Sequence, residues 1–174
     1  MLVEDVHRAE DAGSLADYTH ANLIVPRLRD REAAGVIKEL GQVLHREGCI
    51  RELLPFYNEA LNREFLVNTA TETGLAFPHA RLSGISRLVF ALGRSPKPLA
   101  WGAGGGPPVS FVFLVAVPAQ DAPGYLQLLS AMIRLGTNPS LLHELREASS
   151  AQEMLEVLKQ TNLKNIGQAW PRTA

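Results

Sequence analysis

The chain has a single cysteine, Cys49, so it can form no internal disulfide and no cysteine cluster for zinc. A reducing compartment, the cytoplasm, is the expected setting. Neither charge sign is in excess: 17 basic against 18 acidic residues leave a formal net charge of −1, which gives no overall field to hold nucleic acid. Long apolar runs are missing as well. The longest, Phe111 to Val117, falls far short of the roughly 20 residues that cross a bilayer and fits a buried strand. The first residues, Met1-Leu2-Val3-Glu4-Asp5-Val6-His7, carry acids where a secretory signal carries bases, and no apolar stretch follows. Neither export nor direct membrane insertion is expected. No glycine-rich loop ends in Lys-Ser or Lys-Thr, and neither a GxSxG elbow nor an HExxH pair occurs. The five histidines, His7, His20, His45, His79 and His143, lack the short spacings that let two imidazoles share a metal. No cofactor and no metal are expected.

What is present suits one globular domain. A chain of 174 residues that is 46% hydrophobic and 20% charged can bury a core without staples. Residues 1–14 read as a loose lead-in, 15–162 as the domain and 163–174 as a tail. Ala33, Val36, Ile37, Leu40, Val43 and Leu44 recur at helical spacing, with Asp30 as an N-cap and Gly48 as the stop. A second helix is predicted from near Pro55 to Arg63-Glu64, burying Phe56, Ala60 and Leu61, and the threonine-rich stretch from Val67 to Gly74 reads as a loop. Strands are predicted at Leu75–Arg81, Leu88–Leu92, Leu99–Trp101 and Val109–Val117. The glycines around Gly104 read as a flexible connection between the last two.

Three helices follow. The first is capped by Asp121, with Leu126, Leu129, Met132 and Ile133 inward; the second opens at Asn138-Pro139; the third begins with the capping-box spacing Ser150 to Glu153. The unbroken apolar run at 111–117 needs cover on both faces. The expected fold is therefore α/β, a three-layer α/β/α sandwich with a mixed sheet of about five strands flanked by helices.

One histidine stands apart. In Gly74-Leu75-Ala76-Phe77-Pro78-His79-Ala80-Arg81, His79 follows a proline that removes a ladder donor, which places the strand at a sheet edge or rim. Strand alternation puts Arg81 on the same face, where a guanidinium could meet an anion. Read alone, the segment also fits an ordinary histidine at a strand end.

Arg63-Glu64, Thr69 and Gly74-Leu75-Ala76-Phe77-Pro78-His79, followed by the Val109–Pro118 strand ending in Val-Pro and the leucine-rich helix after Pro123, resemble the enzyme IIA domains of the fructose, mannitol and nitrogen-regulatory class of the phosphotransferase system. The resemblance spans roughly residues 14 to 160. It implies a phosphoryl carrier that takes phosphate from the phosphohistidine of an HPr-like protein onto His79 and passes it to a transporter IIB domain, or acts on a regulated target as a stand-alone protein. Arg63 would offset the phosphoryl charge and Thr69 would donate a hydrogen bond, although each also fits a local structural role. Members of the class usually carry a second histidine where this chain has Tyr125, and loop glycines where it has Ala70 and Glu72. A tyrosine can donate a hydrogen bond to phosphate but brings no positive charge near neutral pH. The alternative expectation is a non-catalytic protein-binding module on the same fold. A hydrolase using His79 as a base lacks a paired nucleophile or orienting carboxylate at a telling spacing.

Overall fold

Side-chain alternation along 109–118 decides the architecture of the computed structural model, which describes residues 13–164. Its strands are β1 (Ile24–Val25), β2 (Leu75–Ala76), β3 (His79–Leu82), β4 (Val89–Leu99) and β5 (Val109–Pro118); its helices are α1 (Ala33–Arg46), α2 (Leu53–Leu66), α3 (Ala122–Gly136), α4 (Pro139–Glu147) and α5 (Ala151–Leu158). Strand β5 is central: β4 pairs with it antiparallel, and β2 and β3 pair with it parallel along its other side. Beyond β4 lies β1, parallel to it. Phe111, Phe113, Val115 and Val117 join one buried cluster with Met132, Leu135, Leu145 and Met154 of α3, α4 and α5. Val112, Leu114 and Ala116 join another with Ile37, Leu40, Leu44 and Phe56 of α1 and α2. The expected three-layer mixed-sheet sandwich is the observed fold.

Local chemistry sets the boundaries. Asp121 accepts from the Gly124 amide at 3.1 Å, and Asn138 accepts from the Leu141 amide at 3.1 Å with Pro139 in the first helical position, as expected of caps. Ser150 accepts from the Glu153 amide at 3.1 Å, but the Glu153 carboxylate reaches back to Ser149 at 2.7 Å rather than to Ser150. Asp30, expected as the N-cap of α1, is not: Glu32 occupies that position, and Asp30 accepts from the amides of Arg31 and Glu32 just ahead of the helix. Gly48, with φ of 74°, ends the turn after α1 in a backbone region that favours glycine.

Four expectations are corrected. The strand read as Leu75–Arg81 is two strands, because Phe77-Pro78 interrupts the ladder. Leu99 belongs to the far end of β4, past an irregularity between Arg94 and Leu99, and Trp101 lies in the loop beyond. Helix α2 begins two residues before Pro55 and extends to Leu66. In α3, Leu126 and Ile133 point outward, 62% and 46% exposed, while Leu128, Ala131, Met132 and Leu135 face the core. That helix is apolar around much of its circumference, so its sequence fits more than one inward stripe.

The ends of the described chain close on each other. The Leu15 amide donates to the Thr161 carbonyl at 3.1 Å and the Leu163 amide to the Gly13 carbonyl at 3.2 Å, and both leucines are buried. Among the described residues, no helix is long and apolar enough to cross a membrane.

Candidate functional site

His79 opens β3 opposite Val115, and the carbonyl of the preceding Pro78 accepts the Val115 amide at 2.9 Å. Proline has no amide proton, but its carbonyl still ties this rim to β5. The imidazole is half-buried. Its Nδ1 lies 3.1 Å from the Tyr125 hydroxyl and 3.4 Å from the Phe77 carbonyl oxygen. Tyr125 comes from the first turn of α3, which the Asp121 cap anchors, and its ring lies against His79 with centroids 4.8 Å apart and planes tilted by 31°.

Burial is the main reason the His79 imidazole titrates below its ordinary 6.5; Arg63 adds to the depression, while the Phe77 carbonyl, Glu64 and Glu59 oppose it. The ring is therefore neutral at neutral pH. Burial also pushes Tyr125 up to about 12, reinforced by Glu64 and opposed by Arg63, so its hydroxyl keeps its proton. A carbonyl oxygen can only accept, so the Phe77 contact favours the tautomer with the proton on Nδ1. The lone pair is then on Nε2, which has no hydrogen bond among the described residues. A neutral imidazole in this tautomer is a nucleophile aimed through Nε2.

The remaining candidates fall in different places. Arg63, in the last turn of α2, donates from Nε to Glu59 at 3.0 Å and is about half exposed. Arg81 lies two residues along β3 from His79, opposite Val117, and is exposed. Alternation does put it on the side of the strand that His79 occupies, but the cation whose field reaches the ring is Arg63. Thr69 is committed: its hydroxyl donates to the Glu64 carboxylate at 2.9–3.0 Å and accepts from the Phe77 amide at 2.8 Å. Glu72 is exposed and is not among the charges bearing on His79.

Sequence reasoning assigned no role to Glu64 or Trp101. Glu64 is only 8% exposed and Trp101 5%. The indole Nε1–H donates to the carboxylate at 2.7 Å, beside the amide of Thr69 at 2.8 Å. The signal available was an acidic residue next to Arg63 in an amphipathic helix, which ordinarily means a solvated side chain. Among the described residues, no group of three or more histidine, cysteine, aspartate or glutamate side chains could hold a metal ion.

Comparison with known proteins bears on the family and the fold. The fructose-specific EIIA component of Haloferax volcanii is 31% identical over 120 residues, 69% of this chain and 73% of that protein. The fructose-specific EIIABC component of Bacillus subtilis is 26% identical over 133 residues, 76% of this chain, which spans only 21% of that protein's length. The crystal structure of nitrogen regulatory protein IIA-Ntr from Neisseria meningitidis superimposes with a TM-score of 0.70 at 26% identity, covering 83% of this chain and 98% of that one. The family model for the phosphoenolpyruvate-dependent sugar phosphotransferase system, EIIA 2, matches residues 17–161. The chain belongs to that family.

Proposed function

We propose that the chain is a phosphoryl carrier that takes phosphate onto Nε2 of His79 from the phosphohistidine of an HPr-like protein. In this reading the donor's P–N bond breaks as the Nε2–P bond forms, and the electron pair returns to the donor imidazole. No proton needs to move in that step. The ring of His79 gains positive character on phosphorylation, and its Nδ1–H then donates more strongly to the Phe77 carbonyl and the Tyr125 oxygen. Arg63, whose charge already reaches the ring, offsets the phosphoryl charge once it turns from Glu59. The single observation that carries the reading is the engagement of Nδ1, which leaves Nε2 as the unengaged nitrogen of a ring within the field of Arg63. The product serves either a transporter IIB domain or, as the nitrogen-regulatory likeness favours, a regulated target protein.

The test uses phosphoenolpyruvate, enzyme I and HPr with the intact chain. The expected result is an acid-labile mass gain of one phosphoryl group that His79→Ala abolishes. Absence of label under conditions that charge HPr fully overturns the carrier reading. One observation favours a second function, a protein-binding module without transfer: the partner of Nδ1 is a neutral phenol, and Arg63, whose charge bears on the ring, is paired to Glu59. An unlabelled wild type in the same experiment supports that reading.

A further inference from the structure

We infer that Glu64 and Trp101 are positioning residues for His79, acting through Thr69 and the backbone of Phe77. The case begins with a buried carboxylate. Burying a carboxylate is costly unless its oxygens are satisfied by donors, and Glu64 receives three: the Thr69 amide at 2.8 Å, the Thr69 hydroxyl at 2.9–3.0 Å and the Trp101 indole at 2.7 Å. The amide and the indole can only donate, and the hydroxyl donates as well, so the carboxylate oxygens act as the acceptors. Such charge-assisted bonds are short and directional.

The direction of the Thr69 hydroxyl follows. Its one proton goes to Glu64, so a lone pair faces the Phe77 amide, which donates to it at 2.8 Å. Phe77 precedes Pro78, which restricts the backbone on both sides of the junction. With the Phe77 amide pinned and Pro78 rigid, the Phe77 carbonyl keeps its place 3.4 Å from Nδ1. That carbonyl selects the proton position on the ring. The relay therefore runs from an indole in the loop after β4, through a carboxylate at the end of α2, to the tautomer of His79. It also explains why two residues of no evident chemistry, one of them charged, are buried beside the rim.

The residue after Trp101 also meets the threonine-rich loop. Gly102 packs against the Asn68 side-chain amide, so that a methyl there would require Asn68 to move, and the Asn68 side-chain oxygen accepts the Ala70 amide at 2.8 Å. The loop after β4 and the loop between α2 and β2 are thus pressed together on both flanks of Thr69. Side chains that fix the orientation of a reacting group commonly govern its reactivity without touching the substrate.

This inference rests on the carrier reading for its effect on rate, but not for its effect on the ring. The experiment uses the full chain as Trp101→Phe, Thr69→Val and Thr69→Ser, each checked for a wild-type amide spectrum. Long-range proton–nitrogen spectra at pH 7.5 read the tautomer of His79, and uptake from charged HPr reads the rate. Trp101→Phe and Thr69→Val are expected to draw the two ring-nitrogen shifts toward each other and to slow uptake by roughly tenfold or more. Thr69→Ser, which keeps the hydroxyl, is expected to restore both toward wild type. If folded Trp101→Phe and Thr69→Val keep the wild-type nitrogen shifts, the inference is overturned; changed shifts with unchanged uptake overturn its link to transfer. Should Trp101→Phe fail to fold, the two Thr69 variants decide the matter. Should the wild type take up no phosphate, the nitrogen shifts still decide the positioning while the carrier reading falls.

Discussion

A neutral imidazole in a half-buried position ties stability to pH. The folded state holds His79 below its ordinary 6.5, chiefly through burial, so the unfolded chain binds the proton more tightly. The sign follows: stability from this group is complete above about 6.5 and is lost as pH falls through the lower, folded value. Urea titrations between pH 7.5 and 5 are expected to show a loss of stability that His79→Gln reduces, and equal pH slopes for the two proteins would refute the burial argument. The same depression predicts that His79 stays nucleophilic at pH values where a free imidazole is half charged. Tyr125, held protonated by burial, supplies a hydrogen-bonding oxygen but no charge. Tyr125→His places a second imidazole beside the first, and uptake from HPr is expected to rise about tenfold at pH 6.5, the worth of one charge-assisted hydrogen bond, with the gain fading toward pH 8. A flat pH response would show that charge at this position is irrelevant. At this scale His79 stood out because a Pro-His step is a local pattern, whereas Tyr125 was singled out only by the family resemblance. Glu64 and Trp101 were not legible, since their meeting joins residues 37 positions apart.

Among the elements, the two strands that share one side of β5 do most to shape the site. Pro78 breaks the ladder between them, and the break directs the Phe77 carbonyl to the ring instead of to a neighbouring strand. The packing that holds β4 in register is tight: a methyl added at Gly93 would lie 2.6 Å from a Leu28 methyl carbon and 2.9 Å from its Cγ, against a leucine that is 5% exposed. Gly93→Ala is expected to cost about 1–3 kcal/mol in urea unfolding, the usual range for overpacking a core. Asn138→Ala removes the cap on α4 and is expected to cost about 1 kcal/mol, with no change in phosphoryl uptake because α4 does not approach His79 in the contacts described. Helix positions and caps were readable from periodicity and from Asp121, Asn138 and Ser150. The outward turn of Leu126 and Ile133 was not, since only packing against the sheet selects among the apolar stripes of α3. Strand β1 was unreadable for a simpler reason: two residues carry no period.

For the molecule as a whole, the sheet derives its order from β5, whose two faces belong to two separate cores. The unbroken apolar run forecast this, because a strand with one wet face must alternate. What no pattern announced is the clasp between the two ends of the described chain, where Leu15 and Leu163 are buried. Leu15→Ala is expected to lower stability by about 2–5 kcal/mol and Leu163→Ala to lower it as well, both measured by thermal unfolding. A wild-type melting temperature in either variant would mean that the clasp is decorative.

The borders of the sheet carry one more consequence. On one side stands a strand of two residues, and on the other a pair of short strands parted by a proline. Neither offers a long row of free amides and carbonyls onto which a strand from another molecule could zip. If the carrier reading holds, His79 can meet another protein at this rim without the encounter growing into sheet-to-sheet aggregation.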